Sequence, residues 1–174
     1  MMPFREAITA DRLREIYNYN PDTGIFTRAI CLNRRWPVGT VAGTLRKKGH
    51  GAGYVSINCG GVVYLAHRLA WLYVTGEWPK QLIDHINGDP ADNRFCNLRD
   101  VSQVENQQNR RKPKHGTTSA LLGVYRAQRT TKRQWYAAIR ANGIRFHLGT
   151  FQTEEQAHAA YLAAKREMHE GCTI

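Results

Sequence analysis

Residues 84–109 read DHINGDPADNRFCNLRDVSQVENQQN, and this stretch decides how the first half of the chain is interpreted. Two apolar residues, Leu82 and Ile83, precede it and predict a short strand that ends at Asp84 and His85. Neighbouring side chains of a strand point to opposite faces. The sequence therefore predicts that one of the two can hold a metal ion while the other meets a water molecule.

The rest of the stretch predicts a turn, a polar loop and a helix. Residues 87–89, NGD, are a turn signal, and the loop that follows ends at Asn97. A helix is predicted to begin near Ser102, with Ser102 or Asp100 as its cap, because a glutamate follows Ser102 by three residues. Asn106 lies on this helix.

These residue types suit the hydrolysis of a phosphodiester. That reaction needs an activated water, neutralisation of charge on the phosphate and help for the leaving oxygen. One divalent ion can supply the last two, and a histidine with the usual pKa of ~6.5 can supply the first. The spacing of Asp84, His85, Asn97 and Asn106 therefore indicates a possible one-metal hydrolytic site.

The bulk composition favours an anionic partner. The chain has 174 residues and a formal charge of +11, which points first to nucleic acid and second to a membrane surface. No apolar run approaches the ~20 residues of a membrane-spanning helix, and the first residues lack the apolar core of a signal peptide. We expect a soluble intracellular protein. The four cysteines are scattered without a CxxC pair, which argues against structural zinc.

The charge is concentrated in the second half of the chain. No acidic residue lies between Glu105 and Glu154, while ten basic residues do: Arg110, Arg111, Lys112, Lys114, Arg126, Arg129, Lys132, Arg133, Arg140 and Arg145. A stretch of one sign this long indicates contact with phosphates. Residues 109–120, NRRKPKHGTTSA, are polar and predict a basic linker between a domain at 1–108 and a domain at 121–174.

The first domain is predicted to begin with a helix over residues 9–17, with Thr9 as its N-cap. A turn at residues 20–24 and a short extended segment follow. Two β-rich segments around Cys59-Gly60-Gly61 predict a hairpin. Residues 67–76, HRLAWLYVTG, predict a helix that ends at Gly76.

The second domain is predicted to be a three-stranded antiparallel sheet with one helix. The strands are expected at residues 122–128, 133–141 and 144–151, and Asn142-Gly143 is a strong two-residue hairpin signal. Residues 153–156, TEEQ, predict the capped start of an alanine-rich helix. Alternation along the strands sends Trp135, Ala137 and Ile139 to the helix and leaves Arg140, Arg145 and His147 on the free face.

Four segments of the first domain resemble the HNH nuclease module, whose strand, loop, strand and helix are called the ββα-metal fold. They are HRLAW (67–71), DHINGD (84–89), DNRFCNLR (92–99) and SQVENQQN (102–109). The resemblance covers about residues 10–110 and implies an α+β fold. It implies that His85 is the general base, that Asn97 orients His85 or the loop, and that Asp84 and Asn106 hold one divalent ion.

The implied metal is Mg²⁺ or Mn²⁺, because carboxylate and carboxamide oxygens are hard ligands. Asn106 replaces the third histidine of the family name. Three residues keep two readings each: His67 orients a site residue or packs, Arg68 contacts phosphate or solvent, and Arg99 holds the loop or contacts DNA.

Residues 123–166 resemble the plant AP-two/ERF DNA-binding domain. The shared segments are GVY, WYAAIR, NGIRFHLGTF and TEEQAHAAYLAA. The resemblance implies that the sheet enters the major groove of DNA and reads it with exposed side chains. Together with the linker, the residues expected to contact DNA are Arg68, Arg99, Arg110, Arg111, Lys112, Arg126, Arg129, Arg140, Arg145 and His147. His147 stands where the plant family has tryptophan.

An HNH module joined to a sheet that reads DNA resembles homing endonucleases of the phage or intron-borne kind. The resemblance implies a DNA endonuclease that nicks one strand or cuts both, acting on double-stranded DNA in the cytoplasm of a bacterial host. One site per chain favours a monomeric nickase, unless the protein dimerises. The competing reading is a DNA-binding regulator with an inactive HNH module.

Overall fold

The computed structural model describes residues 8–31, 34–49, 51–110, 113, 118–127, 134–169 and 172. It combines α-helices with small antiparallel sheets. The chain divides into two compact units, Met1–Val101 and Ser102–Ile174. The predicted domain bounds at 108 and 121 stay a prediction, and residues 111, 112 and 114–117 of the predicted linker lie outside the described part.

The first unit begins with helix α1, Ala10–Ile16. Its predicted N-cap is confirmed, because the Thr9 side chain accepts a hydrogen bond from the Arg12 backbone N–H. The chain passes directly into strand β1, Tyr17–Asn20, which pairs antiparallel with β2, Ile25–Arg28. Strand β3, Val41–Ala42, extends this sheet along the other edge of β2.

A second sheet leads into the next helix. Strands β4, Thr44–Leu45, β5, Val55–Cys59, and β6, Val62–Leu65, form an antiparallel sheet. The predicted hairpin is confirmed between β5 and β6. Helix α2, Ala66–Thr75, follows β6 at once and ends, as predicted, at Gly76, whose φ of 81° is left-handed.

Strand β7, Leu82–His85, pairs antiparallel with β8, Leu98–Val101, and a turn of 3₁₀ helix at Phe95–Asn97 leads into β8. The two carboxylate oxygens of Asp100 accept hydrogen bonds from the backbone N–H groups of Lys80 and Gln81, at 2.8 and 2.9 Å. Asp100 therefore fixes the start of β7. The sequence left Ser102 and Asp100 as alternative caps of the following helix, and Asp100 is not that cap.

The core of the first unit packs α1 and α2 against the strands. Leu13 and Leu69 are fully buried, and Phe26 and Ile57 are nearly so. Burial of such side chains contributes about 1.5–3 kcal/mol each. This core holds β7 in place, because Ile83 and Leu98 belong to the same cluster.

The second unit begins with helix α3, Gln103–Gln108. Its predicted capping box is confirmed: the Ser102 N–H donates to the Glu105 carboxylate at 2.8 Å, and the Glu105 N–H donates to the Ser102 hydroxyl at 3.2 Å. Strands β9, Val124–Arg126, β10, Trp135–Ala141, and β11, Ile144–Phe151, then form a sheet in the order β11-β10-β9. Helix α4, Glu154–Met168, covers one face of that sheet.

Among the described residues, three residues of the first strand pair with β10, so residues 122 and 123 of the predicted 122–128 lie outside it. Residue 128 lies outside the described part. The strand alternation is confirmed for Ala137 and Ile139, which are buried against α4. A bulge between Ala137 and Ala138 shifts the pairing so that His147 lies opposite Ala138. Phe146 lies opposite Ile139 but stays 38% exposed.

Two features of α4 were not predicted from its apolar stripe. Lys165 is completely buried, and its ammonium group donates to the Arg110 carbonyl at 2.7 Å. Tyr161 lies so close to Gly123 that a Cβ there would be 1.9 Å from a ring carbon. Among the described residues, no helix has the length and apolar character needed to cross a membrane.

Candidate active site

The β7–β8 hairpin presents the Asp-His pair. Asp84 lies opposite Arg99 and His85 opposite Leu98 in the strand register. Just beyond the strand, the Ile86 N–H donates to the Asn97 carbonyl at 2.9 Å and extends the pairing. Both members of the pair are buried, with 9% of Asp84 and 4% of His85 exposed. A rigid hairpin therefore fixes the backbone of both residues.

Asp84 is held by the guanidinium group of Arg99. The Nε and Nη2 atoms of Arg99 donate to the same carboxylate oxygen, Oδ2, at 3.0 and 2.8 Å. This interaction fixes the orientation of the carboxylate. The Arg99 side chain thus holds Asp84, and its two predicted roles, holding the loop or contacting DNA, stay predictions.

His85 lies in an aromatic pocket. Its ring centroid is 5.1 Å from that of His67, at nearly a right angle, and 5.8 Å from that of Tyr54. Burial lowers the pKa of His85, and a hydrogen bond to the Asn93 side chain and the nearby carboxylates only partly oppose that effect. The imidazole is therefore neutral at neutral pH, which is the form that can accept a proton from water.

His67 closes the same pocket from the first turn of α2. It is 5% exposed, and burial followed by the proximity of His85 lowers its pKa to about 3. Its ring also contacts Tyr54, with centroids 5.2 Å apart. Within the described part of the chain, its Nδ1 is buried without a hydrogen-bond partner. Of the two readings of His67, the geometry shows a buried ring packed against His85.

Asn97 organises the loop that follows the pair. Its side-chain oxygen accepts from the Asn87 N–H at 2.9 Å. Its amide group donates to the Asn87 side-chain oxygen at 3.0 Å and to the Asp92 carbonyl at 2.8 Å. Asn97 is 6% exposed, so these hydrogen bonds are largely shielded from water. They join both ends of the 87–92 loop.

An ion pair stabilises the other side of this loop. The Arg94 guanidinium donates to both carboxylate oxygens of Asp92, at 2.8 and 2.6 Å. The Arg94 hydrogen bond is the main reason that the pKa of Asp92 is lowered to about 2. The Asn87 side chain donates to the same carboxylate at 2.7 Å. The loop therefore has a fixed shape without help from a ligand.

Two supporting residues were not singled out from the sequence. Asn93 is 3% exposed, and its side chain lies close enough to His85 to raise the pKa of the imidazole as a hydrogen-bond acceptor. The Tyr19 hydroxyl donates to the Asn93 carbonyl at 2.7 Å. A Cβ on Gly24 would lie 2.5 Å from the Arg94 nitrogen, so the β1–β2 turn presses directly on this loop. Asn93 falls inside the DNRFCNLR segment, but the link to Tyr19 spans 74 residues and leaves no local signal.

Asn106, the second predicted metal ligand, lies on α3 and belongs to the second unit, where its N–H donates to the Ser102 carbonyl at 3.0 Å. Among the described residues, no group of three or more His, Cys, Asp or Glu side chains could hold a metal ion. Asp84 and Asn106 each carry oxygen donors of the type that Mg²⁺ and Mn²⁺ prefer. Their joint role as metal ligands stays a prediction.

The predicted DNA contacts are distributed over both units. Arg68 lies on α2 over the Trp78 ring and donates to the Gln81 carbonyl at 3.4 Å. Arg110 and Arg126 are exposed in the second unit. Arg111, Lys112 and Arg129 lie outside the described residues.

The free face of the second unit's sheet carries an aromatic row. The rings of Tyr125 and Tyr136 stack with centroids 5.1 Å apart, and His147 lies 5.6 Å from Tyr136. The Arg145 guanidinium lies 5.0 Å from the Tyr125 centroid and donates to the Tyr136 hydroxyl at 3.3 Å. Arg140 pairs with Arg145 in the register and is exposed. The three DNA contacts predicted for this sheet, Arg140, Arg145 and His147, therefore share its free face.

Residues 64–108 match the model of a protein family described as HNH endonuclease. Comparison with curated proteins and with solved structures found no match. The matched segment contains the Asp-His pair, Asn97 and Asn106, while Tyr19 and Tyr54 lie before it. The candidate site thus lies within a segment similar to HNH endonucleases, and this similarity supports a nuclease, a hydrolase whose substrate is DNA.

Proposed function

We propose that the protein is a metal-dependent DNA endonuclease of the HNH homing type. The observation that carries the proposal is the buried Asp84–His85 pair at the end of β7, inside the matched segment. A buried histidine with a lowered pKa, next to a carboxylate fixed by Arg99, suits hydrolysis better than a structural role.

In the proposed reaction, His85 is the general base. A water oxygen attacks the phosphorus while the imidazole takes a proton from that water. The bond from phosphorus to the O3′ atom breaks and O3′ takes up a proton from solvent, which leaves a 3′-hydroxyl and a 5′-phosphate. Because burial keeps His85 neutral, the base is ready at neutral pH without deprotonation. His67 and Tyr54 keep bulk water away from two sides of the ring.

Asp84 and Asn106 are the proposed metal ligands. A bound Mg²⁺ or Mn²⁺ would neutralise charge on the phosphate and stabilise the leaving oxygen. Arg99 already holds one oxygen of Asp84, so the carboxylate would keep its orientation whether or not the ion is bound. Asn97 would act by keeping the 87–92 loop in one shape, through its hydrogen bonds to Asn87 and Asp92.

The free face of the β9–β10–β11 sheet is the proposed DNA-reading surface, in the manner of the AP-two/ERF domain. Arg145 is ordered by two tyrosine rings before any ligand arrives, which reduces the entropy cost of binding. Arginines on a sheet can donate two parallel hydrogen bonds to a guanine edge or to a phosphate. Arg140 and His147 would add contacts on the same face.

The test is cleavage of supercoiled plasmid with Mg²⁺ or with EDTA. Wild-type protein should nick the plasmid only with the metal ion, and His85→Ala should remove cleavage while a band shift in EDTA persists. The matched control is His158→Ala, which removes a histidine of α4 outside the matched segment and should cut normally. Wild-type protein that shifts the band but fails to cut the plasmid, whichever divalent ion is added, would contradict the proposal. That result would favour the DNA-binding regulator.

We further propose that one chain nicks one strand, because the chain contains one Asp-His pair of this kind. The number of strands cut at each site can be measured on a linear duplex labelled separately on its two ends. A double-strand break formed in a single binding event would show that two chains act together.

A further inference from the structure

The first unit has its own acid-free stretch. No aspartate or glutamate lies between Asp22 and Glu77. The basic residues in this interval are Arg28, Arg34, Arg35, Arg46, Lys47, Lys48 and Arg68. Most of them lie outside the segment that matches the HNH family, so the match does not explain them.

Two of these arginines meet one exposed tryptophan. The Arg28 guanidinium carbon lies 5.1 Å from the Trp36 ring centroid, and that of Arg35 lies 5.3 Å from it. Arg28 also lies 5.8 Å from the Tyr17 centroid, with Nη1 donating to the Tyr17 hydroxyl at 3.5 Å. Trp36 is 41% exposed and does not belong to the buried core described for the first unit.

The backbone holds this cluster in place. The Arg28 N–H donates to the Thr40 carbonyl at 2.9 Å, and the Gly39 N–H donates back to the Arg28 carbonyl at 2.8 Å. The Thr40 hydroxyl donates to the Pro37 carbonyl at 2.7 Å. Gly39 has a φ of 83°, which permits the tight return of the chain towards Arg28. Residues 37–40 are therefore fixed against β2.

Within the described residues, Arg28 makes no ion pair with a carboxylate, whereas Arg12, Arg14, Arg94 and Arg99 each make one. A guanidinium stacked on an aromatic face can donate in its own plane to a second partner. The Nε of Arg28 is buried, so a phosphate would be bound through the terminal nitrogens of this residue. Phosphate oxygens are the partner that best fits this geometry.

We infer that Arg28, Arg35 and Trp36 form a second DNA contact surface, which grips the phosphate backbone from the nuclease unit. This inference rests on the proposed function for its choice of DNA as partner. The surface supplies non-specific affinity, because guanidinium contacts to phosphate carry no base information. It would keep the nuclease unit on the duplex independently of the sheet in the second unit.

The test uses the salt dependence of binding to a duplex of random sequence, in EDTA so that no cleavage occurs. Each phosphate contact contributes about 0.9 to the slope of log K against log salt concentration. Arg28→Gln and Arg35→Gln should each reduce the slope by about 0.9, and the double variant by about 1.8. Arg28→Lys should keep the slope, because it keeps the positive charge. It should nevertheless bind DNA more weakly, because lysine lacks the planar guanidinium. The control Arg12→Gln removes one charge from α1, where Arg12 is paired with Glu15, and should leave the slope unchanged.

A double variant that binds with the wild-type slope would overturn the inference, and so would Arg12→Gln reducing the slope as much as Arg35→Gln. Because Arg28→Lys keeps the charge and the ring contacts, a reduced slope in that variant would also count against it. These outcomes are independent of catalysis: wild-type protein that binds DNA but never cuts refutes the nuclease and leaves the surface standing.

Discussion

The buried histidine beside the candidate base predicts a strong pH dependence of stability. His67 has a pKa of about 3 in the folded protein, against 6.5 in an unfolded chain. Between these values the unfolded state binds more protons than the folded state, so stability rises with pH and is lost as pH falls below 6.5. One proton corresponds to about 1.4 kcal/mol per pH unit. From pH 6 to pH 4 the loss attributable to His67 is about 2–3 kcal/mol.

The variant that isolates this effect is His67→Gln, which keeps a polar side chain of moderate size and cannot take up a proton. Its loss of stability between pH 6 and pH 4 should be smaller than that of the wild type by about 2–3 kcal/mol. His85, whose pKa is also lowered, is present in both proteins, so the difference reports His67 together with its coupling to His85. Urea unfolding followed by tryptophan fluorescence reports mainly on the first unit, which contains Trp36, Trp71 and Trp78.

The control for general destabilisation is Ile57→Val, in the core of the same unit, where Ile57 is 1% exposed. It should lower the free energy of unfolding by about 1 kcal/mol at every pH and leave the slope unchanged. Parallel losses of stability in wild type and His67→Gln from pH 6 to pH 4 would refute the reasoning, since they would show that His67 is not kept neutral by burial.

Three further predictions concern packing and the site loop. Gly123→Ala should destabilise the second unit by about 2–4 kcal/mol in thermal unfolding, because the new Cβ would collide with the Tyr161 ring and the backbone has a φ of 78°. The control is Gly143→Ala, which has the same φ but open space around the Cβ, so its stability should fall only by the backbone strain. Asp100→Ala should cost about 1–3 kcal/mol in urea unfolding, because two backbone N–H groups at the start of β7 lose their acceptors; an effect below 0.5 kcal/mol would argue against this anchoring role. Tyr19→Phe should lower the kcat of plasmid nicking at unchanged KM, because the hydroxyl supports the site loop. Tyr17→Phe loses a comparable hydrogen bond away from that loop and should keep its kcat.

Local patterns predicted the elements that depend on neighbours in sequence. Thr9 and Ser102 cap their helices because the groups they bind are three residues away. The turn at Asn142-Gly143 follows from two residues that accept a positive φ, here 50° and 78°. Strand alternation placed Ala137 and Ile139 against α4. In each case the physical cause lies within a few residues of the effect.

The surroundings of the candidate base could not be predicted in this way. Tyr54 and His67 reach His85 from different elements, and nothing in their local sequence indicates that the three rings meet. Arg99 allowed two readings because the register that pairs it with Asp84 depends on the whole β7–β8 hairpin. The bulge that places His147 opposite Ala138 likewise depends on packing across the sheet.

The buttress from the β1–β2 hairpin to the site loop affects how this protein can be divided and recombined. The Phe95 N–H donates to the Pro21 carbonyl at 3.0 Å, next to the hydrogen bond from Tyr19 to Asn93. Residues 19–24 therefore stabilise the site loop, although they lie outside the 64–108 segment. A chimaera that contains only the segment similar to HNH endonucleases would keep the side chains of the candidate site but lose the contacts that hold the 87–92 loop in one shape. An exchange that begins upstream of α1 would transfer the loop together with its support.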